Sequence, residues 1–242
     1  DLVLLERDLG VVAEGVSEGR TSFANASKYI RIASSSNFGN ICSVAASSIF
    51  LPFVPATATQ LLLLNLCYDA TCLALSWDNV DDAEIARPRA WSGKGLGSFM
   101  LHFGFASSAF DIITFAILFL GVCPAVCGAP FAALDAAGRA AFIATFQAGW
   151  LLECAWTESL VLLVLRTRSV RDGDRPCTPL VVMVAVMLVV TALLALSPVA
   201  QLFGLATLPV WYLGIVALLS VLYLVVASTI KRVYLARSSS LF

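Results

Sequence analysis

The sequence predicts an all-α polytopic membrane protein: six transmembrane helices with a cytoplasmic helical stalk, and both termini cytoplasmic. Three observations predict it. Of the 242 residues, 60% are hydrophobic and only 13% charged, with a mean hydropathy of +0.90, whereas a soluble domain is about one quarter charged. The apolar residues gather into blocks that approach the ~20 needed to cross a bilayer as a helix. Basic residues crowd into alternate loops, the signature of a polytopic chain.

Taken in order, residues 1–16 precede a polar, charged stretch at 17–32 that reads as a stalk. No proline or glycine interrupts the chain from Thr21 to Phe38, so one helix is expected to run from the stalk into the first span. The spans fall at about 33–51, 58–75, 99–122, 140–165, 179–196 and 209–230. Breakers separate them: Pro52 and Pro55, Pro88 with Gly93, Gly95 and Gly97, Pro124 to Pro130, Pro176 with Pro179, and Pro198 to Pro209. No alternating strand pattern competes with helix. The chain begins at Asp1 without a signal peptide, and it reads as a piece of something longer.

The basic residues set the orientation. Arg7, Arg20, Lys28 and Arg31 precede the first span; Arg87, Arg89 and Lys94 follow the second; Arg166, Arg168, Arg171 and Arg175 follow the fourth; Lys231, Arg232 and Arg237 follow the sixth. Arg139 alone lies on the opposite side. The positive-inside rule therefore places the termini and both charged loops of a multi-pass protein in the cytoplasm.

Asn65 and Asp69 stand four apart inside the second span and share a helix face. An amide and a carboxylate are expensive in hydrocarbon, so the pair is expected to face a polar cavity or an ion route. Asn37 and Asn40, three apart in the first span, supply further oxygens that can meet that face; the alternative is a hydrogen bond between helices. Such a set suits a hard divalent cation that keeps part of its water.

Several stretches resemble the P-type cation-transporting ATPases, in particular their bacterial magnesium-transporting branch. Asp1 to Leu9 resembles the segment closing the phosphorylation domain, giving 1–16 as the end of that domain. Val16 to Ile30 resembles the stalk. Ser35-Ser-Asn-Phe-Gly-Asn40 and Asn65-Leu-Cys-Tyr-Asp69 resemble the ion-site stretches of the fifth and sixth membrane helices. Arg87-Pro-Arg-Ala-Trp91 and Ser107 to Phe115 are similar to the following loop and seventh helix, and Gly149 to Glu153 with Leu165-Arg-Thr-Arg168 to the eighth.

The resemblance implies the carboxy-terminal half of the transport domain, 33–242, with Asn37, Asn40, Asn65, Asp69 and Glu153 as metal-site residues and Mg2+ as the transported ion. A location in the cell inner membrane is an expectation that comes with the same resemblance. ATP and its own Mg2+ would act in cytoplasmic domains that carry the Asp-Lys-Thr-Gly motif; this chain holds no such motif and is expected to hold no catalytic residue. Expected partners are the transported cation, the lipid bilayer and the remaining domains of the same polypeptide, with no nucleic acid. The rival readings are a P-type pump for Ca2+ or monovalent cations, and a non-enzymatic helical membrane protein. Calcium-pumping relatives carry a glutamate where Asn40 stands.

Other residues carry weaker expectations. Glu153 reads either as a proton-exchanging or cation-binding group or as a neutral acid bonded to a neighbouring helix; Glu158 is expected to reach Arg166 or interfacial water, and Asp111 to be a structural hydrogen-bonding residue. Asp78, Asp81, Asp82 and Glu84 read as a solvated loop. Cys123 and Cys127 lie where a disulfide can form, and the remaining cysteines read as small apolar residues. His102 sits at the membrane interface. Phe105 replaces a proline common in the magnesium branch, so the third span is expected to be straighter.

Overall fold

The computed structural model describes residues 9–81, 95–167 and 175–237, together with 85, 86, 88 and 93. Six principal helices follow one another. Helix α1, Leu9–Ser47, is a single rod of 39 residues, about 58 Å long at 1.5 Å per residue; the stalk and first span are thus continuous, as expected, and the helix reaches back to Leu9. Helix α2, Ala58–Leu73, tightens into a 3-10 turn at Ala74–Trp77. Helix α3 runs from Leu96 to Cys127, α4 from Ala136 to Leu165, α5 from Thr178 to Leu196 and α6 from Tyr212 to Arg237. Residues 1–8, Asp82, Glu84, Arg87, Arg89, Lys94, Arg168 and Arg171 lie outside the described residues.

Local chemistry sets the helix ends. Thr57 opens α2 with a capping box: the Gln60 N–H donates to Thr57 Oγ1 at 3.3 Å and the Thr57 N–H donates to Gln60 Oε1 at 2.9 Å. Asp135 caps α4 through the Gly138 N–H at 2.8 Å, and Pro179 occupies the first turn of α5, where its missing N–H costs nothing. Gly128 ends α3 at φ +79°, a conformation glycine adopts without penalty.

Five helices, α2 to α6, are long and apolar enough to cross a bilayer. Helix α1 is not among them, and its packing is correspondingly polar. Ser35, Ser36, Asn40, Ser43 and Ser47 are all buried, so its polar face is turned into the bundle rather than towards lipid. Helix α4 is central: 78% of its apolar stretch is buried, against 28% in α5 and α6, and it packs on α2, α3, α5 and α6. Large apolar side chains such as Leu62, Leu66, Leu120, Leu218 and Val225 point outwards, as in a protein whose solvent is lipid.

Helix α1 crosses α3 at Gly39 and Gly104. A Cβ at Gly39 would stand 3.1 Å from the Gly104 carbonyl oxygen, and one at Gly104 would stand 3.4 Å from the Gly39 nitrogen. Both positions therefore require glycine for the backbones to approach. Helix α3 is unbroken at Phe105, as the missing proline predicts, but it widens to π-helical hydrogen bonding at Met100–Gly104 and Leu118–Val122. The first of these segments ends at the crossing.

Candidate functional site

Helices α1 and α2 share a cavity of about 440 Å3 lined by Asn37, Asn40 and Asn65, with Ile41, Val44 and Leu61 completing its apolar walls. The three amides come together because 37 and 40 are one helical turn apart on α1 and 65 projects from the facing side of α2. Asn40 is buried, and its Nδ2 donates to Glu158 Oε1 of α4 at 2.9 Å. That bond fixes which way the amide points and leaves Asn40 Oδ1 buried without a hydrogen-bond partner among the described residues. An orphaned buried carbonyl oxygen is costly unless something binds it, and beside an amide-lined cavity a side-chain rotation that turns it into the space would make it a ligand for a hard cation.

Asp69 lines a different cavity, one turn closer to the stalk. This space of about 610 Å3 is bounded by Ser22, Asn25 and Tyr29 of α1 and by Leu66, Asp69 and Leu73 of α2. The Tyr29 hydroxyl donates to Asp69 Oδ1 at 3.3 Å. Asn65 and Asp69 do share a face, as their spacing requires, yet they serve adjoining chambers.

Glu153 lies apart from both chambers. It is 1% exposed and sits with Asp111 and Cys154, their ligand atoms all within 4.8 Å of one another. Asp111 is held from several sides: Trp150 Nε1 donates to its Oδ1 at 2.9 Å, Cys154 Sγ approaches the same oxygen at 3.3 Å, and Ser43 Oγ hydrogen-bonds its Oδ2. The expectation that Asp111 is a structural hydrogen-bonding residue is met; it ties α1 and α4 to α3.

Three expectations need correction. Glu158 does not reach Arg166: eight residues separate them, about 12 Å along a helix, and Arg166 instead bonds Asp78 Oδ2 at 2.7 Å. Asp78 is not a solvated loop residue, because its side chain is fully enclosed between Arg166 and Lys28. Cys123 and Cys127 are free thiols, as are the other five cysteines. What sequence reasoning missed is the partner of Glu158, which is the cavity-lining Asn40. The signal was a second intramembrane carboxylate on the helix already carrying Glu153.

The sequence pattern of the family described as "Cation transporting ATPase, C-terminus" matches residues 53–233. A protein of Salmonella typhimurium named "Magnesium-transporting ATPase, P-type 1" is 38% identical over 213 residues, covering 88% of this chain and 22% of the relative. The chain belongs to the P-type cation-transporting ATPases. An Escherichia coli protein of the same name is 39% identical over 214 residues, with the same coverage of each. This P-type ATPase chain thus spans 22% of the length of these relatives. Within it, the amide cavity lies between the two helices whose Asn37–Asn40 and Asn65–Asp69 stretches carried the resemblance.

Proposed function

We propose that this chain is the membrane half of a P-type pump that moves Mg2+ across the inner membrane, driven by ATP hydrolysis in cytoplasmic domains of the same polypeptide. In this reading all six helices span, α1 included, and both termini are cytoplasmic. The ion is held between α1 and α2 by Asn37, Asn40 and Asn65, with Asp69 in the adjoining chamber on the cytoplasmic route. Glu158 orients the Asn40 amide from α4. Glu153 contributes from outside the cavity, through the Asp111 cluster.

The observation that carries this reading is the cavity between α1 and α2 lined by three amides, Asn37, Asn40 and Asn65, beside which Asn40 Oδ1 is buried without a hydrogen-bond partner among the described residues. Magnesium gives up water reluctantly and is bound through few protein oxygens with several waters retained. Six waters occupy roughly 180 Å3 at ~30 Å3 each, which the cavity of about 440 Å3 accommodates. A neutral amide set suits such a hydrated ion; a stripped ion calls for more carboxylates. The printed name of the relatives points to the same metal.

The test is ATPase activity of the purified full-length protein titrated separately with Mg2+, Ca2+, Zn2+ and Na+ above a fixed nucleotide-bound magnesium level. Selective stimulation by free Mg2+ supports the reading. Selective stimulation by another ion retains the pump and discards magnesium; a folded protein without ATPase activity supports the non-enzymatic rival.

A further inference from the structure

Asp78 joins the two helices that line the amide cavity, α1 and α2, to α4, whose Glu158 bonds Asn40. Its carboxylate, 0% exposed, ends the 3-10 extension of α2 and accepts from Arg166 Nη1 of α4 at 2.7 Å and from Lys28 Nζ of α1 at 3.4 Å. The Cys177 N–H at the start of α5 donates to its Oδ1 at 3.3 Å. Around it, Asn25 Nδ2 of α1 donates to the Asp78 carbonyl oxygen at 2.9 Å, and Lys28 Nζ donates to the Asn79 carbonyl oxygen at 2.9 Å. Along the helices the junction stands nine residues from Asn37 on α1 (from Lys28), thirteen from Asn65 on α2 (from Asp78) and eight from Glu158 on α4 (from Arg166).

A buried ion pair is a poor source of net stability, because desolvation offsets the Coulomb attraction; fixing a register is its best-attested use. The two cationic contacts are also unequal. Arg166 is close, whereas Lys28 is farther, and burial holds the Lys28 ammonium below its ordinary pKa despite the pull of Asp78. Arg166 and Asp78 form the fixed part of the junction, and Lys28 is the contact that a shift of the stalk would stretch first. Since α1 is unbroken from Lys28 to Asn40, a displacement at the junction reaches the cavity undiminished.

We infer that Asp78 is a positioning residue for transport: through Lys28 it holds the stalk in register with α2 and α4, so that movement of the stalk is passed to the amide cavity rather than dissipated in the loops. The inference rests on the transport reading above.

The experiment compares full-length wild type, Lys28→Met and Lys28→Arg for three readouts: thermal midpoint, the free Mg2+ giving half-maximal activity, and maximal turnover with its steady-state phosphoenzyme level. Lys28→Met is expected to leave the half-maximal Mg2+ within about twofold while maximal turnover falls about tenfold and phosphoenzyme accumulates, and Lys28→Arg to recover turnover to within about twofold. A lowered midpoint with unchanged turnover per folded molecule overturns the inference and leaves Lys28 merely structural. Parallel changes in Mg2+ dependence and turnover overturn it too, because they place Lys28 in binding. A wild type that forms no phosphoenzyme overturns the transport reading itself, and is told apart because the failure is then in the wild type and not in the variants.

Discussion

Replacing Asn40 by alanine removes two things at once, and the structure gives each a magnitude. The variant loses the Nδ2 donor that meets Glu158 Oε1 at 2.9 Å, leaving a carboxyl group that is 4% exposed without its partner; an unsatisfied buried polar group costs about 1–3 kcal/mol. It also loses the orphaned Oδ1 buried beside the cavity. One ligand oxygen contributing ~1.5–3 kcal/mol raises the Mg2+ needed for half-maximal ATPase activity by roughly 10–100-fold, at ~1.4 kcal/mol per factor of ten. Glu158→Gln separates the effects, since its amide oxygen still accepts from Asn40 while the carboxyl group that fixes the orientation of that amide is replaced. It should leave thermal stability close to wild type and weaken Mg2+ dependence alone. The assay is Mg2+-stimulated ATPase and thermal unfolding of the full-length protein for wild type, each single variant and the double variant. A coupling energy of about 1 kcal/mol or more in Mg2+ dependence is expected between residues in contact. Additive effects, or an Asn40→Ala variant that loses stability but keeps its Mg2+ dependence within about twofold, refute the reasoning.

Other consequences are as direct. Asp69→Asn is expected to abolish cation-stimulated hydrolysis with near-normal expression, because Asp69 is exposed to its chamber and bonded only by Tyr29 among the described residues; unchanged Mg2+ stimulation contradicts that. Gly104→Val places a Cβ 2.7 Å from the Phe38 ring and 3.1 Å from the Ser35 carbonyl oxygen, overpacking that costs about 1–3 kcal/mol. Thermal unfolding should show it, and an unshifted midpoint means that α1 and α3 do not cross there. Burial lowers the Lys28 pKa below the ordinary 10.5, with Asp78 pulling it part-way back. Between the lowered value and 10.5 the folded state binds fewer protons than the unfolded, so this group's stability contribution rises with pH across that window. Wild type should therefore gain on Lys28→Met as pH climbs towards 10.5, and a pH-independent difference in midpoint argues against the burial.

The positions of the six helices were legible because hydrophobic blocks and their proline and glycine breakers act within a few residues; the Thr57–Gln60 capping box is local in the same way. The polar pairs of α1 and α2 were legible as well, since three- and four-residue spacing alone puts Asn37 near Asn40 and Asn65 near Asp69. What the spacing does not specify is which helix takes each polar group. Tyr29, forty residues away, draws Asp69 into the stalk-side chamber, and Glu158, 118 residues from Asn40, orients the cavity amide. Asp78 reads as one of several acids in a loop, and only Lys28 and Arg166, 50 and 88 residues distant, reveal it as buried. The π segments of α3 leave no trace in hydrophobic periodicity; the first of them ends at the crossing of Gly104 with α1, a tertiary contact.

The most direct measurement of the central claim is ATP-driven Mg2+ movement in proteoliposomes containing the full-length protein, followed with a Mg2+-sensitive dye for wild type, Asn40→Ala and Asn65→Ala. Flux in wild type that falls about tenfold or more in both variants, at equal reconstitution and phosphoenzyme competence, is what an ion path through the α1–α2 cavity predicts. Flux preserved in both variants would contradict it.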